Sequence, residues 1–113
     1  MTEDENLTII STYRVRADAL GEFQELLGRH WPVLRELELV TATAPQYYAG
    51  DAGPDGGVPI VEIFEWSSGS AAQHAHTHPA ISEIWERMAT MWAPGSTEPV
   101  RAHLAVHPLE VAH

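Results

Sequence analysis

The stretch "IVEIFEW", Ile60–Trp66, decides the fold. It is rich in β-branched and aromatic residues. A glycine- and proline-dense segment, "GDAGPDGGVP", precedes it, and the turn "SSGS" follows. Those boundaries mark a strand. Ile60, Phe64 and Trp66 fall on one face, and Val61 and Ile63 on the other. Apolar groups on both faces are the mark of a central strand. Glu62 and Glu65 are the exceptions.

Upstream, "LTIISTYRV" (Leu7–Val15) alternates in the period of a strand. Leu7, Ile9, Tyr13 and Val15 share one face. In the segment that follows, Leu20, Phe23, Leu27, His30, Leu34 and Leu37 step by three and four, one stripe of a helix. Pro32 removes a backbone donor inside it, so a kink is expected. "LVTATAPQYYA" reads as a second strand. Downstream of the central strand, Ile81, Ile84, Trp85, Met88, Met91 and Trp92 recur at helical spacing. Pro79 disfavours helix at His78. The segment therefore divides into a short helix from about Ser70 to Ala75, a break near Thr77–His78, and a new helix with Pro79 in its first turn. "VRAHLAVHPLEV" makes a last strand, with Leu104 and Val106 on one face and His103 and His107 on the other.

The order βαββαβ predicts a ferredoxin-like α+β fold: one antiparallel sheet with its helices on one side. The chain has 113 residues, the size of a single domain, with a short disordered start expected over about 1–6. Helices on one side leave the other sheet face of Ile60–Trp66 uncovered. A second copy's sheet covers it most simply, so a homodimer with sheet-to-sheet packing is expected.

Acidic residues outnumber basic ones 16 to 6, for a net charge of −10. That field repels phosphate backbones and anionic membranes, so neither nucleic acid nor membrane is an expected partner. There is no cysteine, which excludes disulfides and thiolate chemistry. The acidic start "MTEDENLTII" lacks the positive charge of a signal peptide, and no run approaches a membrane span; a cytoplasmic protein is expected.

"VEIFEWSSGSAAQHAHTHPAISEIW" (Val61–Trp85) resembles the dimeric α+β barrel superfamily, and within it proteins like the antibiotic-biosynthesis monooxygenases. The resemblance runs from about Leu7 to Val111. It implies a ligand pocket between sheet and helices. Relatives range from cofactor-free oxygenases of polycyclic aromatic compounds to haem-degrading enzymes. The haem-degrading pattern of a first-strand Asn with a Trp and a His on the second helix is not matched, since Asn6 precedes the strand. "GDAGPDGG" lacks the lysine and strand–helix context of a phosphate loop.

Glu62 and His74 are the candidate catalytic residues. A carboxylate on a central strand must be paired, hydrogen-bonded or protonated, and its environment prepares it for acid–base work. Arg14 on the neighbouring strand is its alternative, purely structural partner. His74, at a four–three spacing from His78 and Ile81, is expected to face the interior near His30 and Glu62. His30, Trp31, Tyr47, Trp66, His78 and Trp85 are the candidate ligand-binding residues. His30, His74 and His78 with Glu62 have the chemistry of a Zn²⁺ or Fe²⁺ site. The same groups also suit a polar pocket, and alternate His spacing belongs to strands rather than helices. The reading adopted is a pocket without metal or cofactor. It would bind a small hydrophobic or aromatic ligand, either as a cofactor-independent monooxygenase of an aromatic or polyketide-like compound or as a non-catalytic ligand-binding or stress-response protein.

Overall fold

The computed structural model describes residues 7–54, 56–93 and 101–106, with 109, 111 and 112. The expectations for residues 1–6 and for His107 lie outside them, as does the side chain of His103. Four strands form one antiparallel sheet: β1 (Leu7–Arg16), β2 (Gln46–Ala49), β3 (Gly57–Trp66) and β4 (Arg101–Val106). Their spatial order is β2-β3-β1-β4, with the two longest strands at the centre. Among the described residues, three α-helices follow the expected division: α1 (Leu20–Glu36), α2 (Ala71–His76) and α3 (Pro79–Ala89).

Alternation places the core. Ile9, Ser11, Tyr13 and Val15 of β1 are buried, as are Val58, Ile60, Glu62, Phe64 and Trp66 of β3. Their neighbours Ile10, Val61 and Ile63 lie on the opposite face and are half-buried. Tyr48 and Leu104 are exposed there, opposite Val61 and Ile10 in the ladder. These residues form an apolar patch that is open in the single chain. Arg14 belongs to the same face, opposite Pro59, so the alternative Arg14–Glu62 pair does not form.

The buried side has two apolar clusters. One gathers Tyr13, Phe23, Leu27, Ile60 and Met88; the other gathers Leu34, Val40, Phe64, Trp66 and Ile81. In the first, Tyr13 stacks on Trp92 at 5.6 Å between ring centroids and meets Phe23 edge-on at 5.2 Å. Val33 and Trp85 touch both clusters.

α1 runs through Pro32 to Glu36 and closes on Glu38, whose φ is 62°. Glu38 N–H donates to Arg35 O and Leu39 N–H to Leu34 O, the Schellman pattern, here without its usual glycine. The second strand is shorter than the sequence suggests. Val40 pairs with Trp66 as an isolated bridge, and regular pairing resumes only at Gln46 opposite Ile63. Residues 41–45 bow out, because Pro45 cannot donate to a ladder. Glu65 holds the bow, accepting from the hydroxyls of Thr41 at 2.7 Å and Thr43 at 3.2 Å.

Candidate functional site

A polar group lies at the seam between the two clusters. On β3, Glu62 follows Ile60 of the first cluster and precedes Phe64 of the second. On α1, His30 stands between Leu27 and Leu34 in the same way. Strand period and helix period bring both inward at one level. Glu62 is fully buried and His30 is 2 % exposed. His30 Nδ1 lies 2.9 Å from Glu62 Oε2. The Tyr13 hydroxyl donates to Glu62 Oε1 at 2.8 Å. The Trp85 indole N–H donates to His30 Nε2 at 2.9 Å. An indole nitrogen can only donate, so His30 Nε2 is an acceptor, and the ring proton sits on Nδ1 and points at Glu62. The carboxylate thus accepts on both oxygens.

Tyr47 stands directly across the β2–β3 ladder from Glu62, and Ser11 directly across the β1–β3 ladder. Ser11 is fully buried; Tyr47 is half-open to solvent. Burial, and then the negative charge of Glu62, push the Tyr47 phenol up to about 12. Tyr13 and Ser11 did not figure among the candidates. Ser11 leaves a signal: it is the polar residue at an inward phase of the alternating row Leu7, Ile9, Tyr13, Val15.

The three histidines expected to face inward do not gather. His30 alone meets Glu62. His74 is exposed on α2, whose buried residues are Ala71 and Ala75, which corrects its expected interior position. The cause is the break at Thr77–His78. It restarts the helix, so a four–three spacing from His74 through His78 to Ile81 does not define one stripe. His78 caps α3: its Nδ1 accepts from Ala80 N–H at 3.2 Å, with Pro79 in the first turn. The metal alternative loses its donor set by the same displacement. His76 is exposed and meets the Trp85 ring edge-on, 4.8 Å between centroids. Trp66 is buried and packs edge-on against Phe64 at 4.9 Å. Trp31 is half-buried beside the second cluster, and its indole nitrogen is buried with no hydrogen-bond partner among the described residues.

The fold resembles that of solved proteins. A variant of SnoaB, a cofactor-independent oxygenase from Streptomyces nogalater, superposes with a TM-score of 0.70 at 12% identity, over 94% of this chain and 95% of that one. The fold is that of the antibiotic-biosynthesis-monooxygenase proteins. Rv0793 from Mycobacterium tuberculosis matches with a TM-score of 0.64 at 20% identity, over 96% of this chain and all (100%) of that one. An antibiotic biosynthesis monooxygenase matches with 0.69 at 13% identity, over 92% and 99%. No family model and no curated protein matches in sequence. At these identities the likeness establishes the architecture. No helix among the described residues is long and apolar enough to cross a membrane.

Proposed function

We propose that this chain is a small enzyme that takes a proton from an aromatic or polyketide-like compound, which then reacts with O₂ without an organic cofactor. One observation carries the reading: a buried carboxylate hydrogen-bonded to a buried neutral imidazole, Glu62 to His30 at 2.9 Å. A carboxylate that orients an imidazole through Nδ1 leaves Nε2 as the base. Nε2 accepts the substrate's proton, and Glu62 stabilises the imidazolium that results. The deprotonated substrate gives its electrons to O₂. A methylene then becomes a carbonyl, one oxygen atom enters the product, and the other leaves as water. Trp31 and Tyr47 flank the ring-binding side, and the unpartnered Trp31 N–H suits a carbonyl acceptor on the ligand. His74, exposed on α2, has no part in this proton transfer. Two chains pack through the open sheet face.

The oxygenase name carried by a neighbour of the same fold supports the chemistry. The test is oxygen uptake with a panel of acidic polycyclic hydroxy-ketones. Consumption by the wild type and its loss in Glu62→Gln is the expected result. Equal rates in both would refute it. One observation favours a second reading, a binding protein without chemistry: Glu62 and both His30 nitrogens are already hydrogen-bonded in the closed site. Saturable binding of the panel with no oxygen uptake would select that reading.

A further inference from the structure

We infer that the Trp85 indole N–H holds the place of a ligand hydroxyl: His30 Nε2 is the acceptor by which this site recognises a neutral phenol or enol, and Trp85 withdraws when such a ligand arrives. The inference rests on the reading of a small-molecule site around Glu62 and His30, and it names the class of ligand.

Three facts lead to it. First, the hydrogen-bond pattern has one direction. Trp85 can only donate, so Nε2 is bare; Nδ1 then carries the proton and donates to Glu62, which also accepts from Tyr13. The group that replaces Trp85 at Nε2 must itself be a donor. A carboxylate or phosphate presents only acceptors, and it would approach the buried carboxylate of Glu62 behind the ring. A methyl ether has no proton to give. A phenol or enol hydroxyl has one.

Second, only Trp85 is placed to move. Tyr13, His30 and Glu62 are 3 %, 2 % and 0 % exposed. Trp85 is partly open to solvent and its ring rests on exposed His76. The indole therefore leaves toward solvent, giving up its contacts at the edges of both clusters, and water takes up its N–H. Third, the surroundings suit aromatic rings. His30 meets the edges of Phe64 at 6.0 Å and Trp85 at 6.1 Å. A ligand ring that displaces the indole inherits that aromatic contact.

The experiment uses the whole chain, labelled for nitrogen NMR, with naphthol and its methyl ether as probes. In the resting protein the His30 signals should show a protonated Nδ1 and a bare Nε2. Naphthol should move the Trp85 indole N–H signal saturably, and the ether should not. Trp85→Phe keeps the ring and removes the competing donor, so it should bind naphthol about fivefold more tightly with no gain for the ether. A resting His30 protonated at Nε2 would overturn the inference. So would equal binding of naphthol and ether, failure of naphthol to bind either protein, or a Trp85→Phe affinity for naphthol that is unchanged or weaker. The readout is independent of turnover. A protein that captures naphthol this way but never consumes oxygen refutes the enzyme reading and leaves this one standing.

Discussion

Replacing Glu62 by leucine removes both acceptors from the buried seam and leaves two donors behind. The Tyr13 hydroxyl, now at 2.8 Å from Oε1, and the His30 Nδ1–H, now at 2.9 Å from Oε2, lose this acceptor. Moving the ring proton to Nε2 rescues His30 only if Trp85 gives up its own hydrogen bond to that nitrogen. A buried donor left unsatisfied costs about 1–3 kcal/mol, so the upper bound for the two is about 2–6 kcal/mol. Removing a buried charge recovers part of this, which places the expectation near 3 kcal/mol, a large share of the 5–15 kcal/mol typical of a domain. Glu62→Gln is the control. Its carbonyl accepts from His30, its amide donates to a reoriented Tyr13 hydroxyl, and the expected loss is about 1–2 kcal/mol, the difference between charged and neutral hydrogen bonds. Urea unfolding followed by tryptophan fluorescence measures both. A leucine variant as stable as the wild type, or a glutamine variant as damaged as the leucine one, would show that the seam is not held by this network.

Tyr47 should ionise late. Below about 10 the phenol is neutral in both folded and unfolded chains; between about 10 and about 12 the unfolded chain loses the proton first, so stability falls as pH rises through that window. Tyrosinate absorbance of wild type against Tyr47→Phe isolates the step. Glu62→Gln should lower it only partly, since burial is the larger cause. Glu38→Gly should raise stability by up to about 1 kcal/mol, because φ is 62° where glycine carries no Cβ penalty; a thermal midpoint that falls would contradict the cap geometry. Ile63→Glu should turn the proposed dimer into a monomer in sedimentation experiments with the fold intact by circular dichroism, since Ile63 lies mid-strand on the open sheet face; a wild-type chain already monomeric at micromolar concentration would refute the pairing.

The sheet was legible because β1 alternates, β3 is apolar on both faces between turn signals, and each carries a residue that breaks its own apolar row. Glu62 and His30 were legible for that reason: a carboxylate in a central strand and an imidazole in a leucine stripe. The break at His78 was legible from Pro79 alone. The Tyr13–Glu62 bond was not. It is a diagonal contact, since Ser11 rather than Tyr13 stands opposite Glu62, and it depends on a strand register that sequence does not display. His74 misled because its spacing to Ile81 spans a helix break, and the break rotates α2 so that small alanines face inward. The second strand was overestimated because β-formers on both sides of Pro45 read as continuous, while Glu65 and two threonines draw residues 41–45 out of the ladder.

Proton removal by the Glu62–His30 pair can be measured apart from oxygen chemistry. A polycyclic hydroxy-ketone with an acidic benzylic C–H, incubated with the protein in deuterated buffer without oxygen, reports deprotonation as deuterium incorporated at that carbon. Incorporation above the buffer rate is expected with the wild type, with a fall of about 10²-fold or more in Glu62→Gln, which loses the carboxylate that orients the His30 base and stabilises its imidazolium. Incorporation that is equal in both proteins would contradict it.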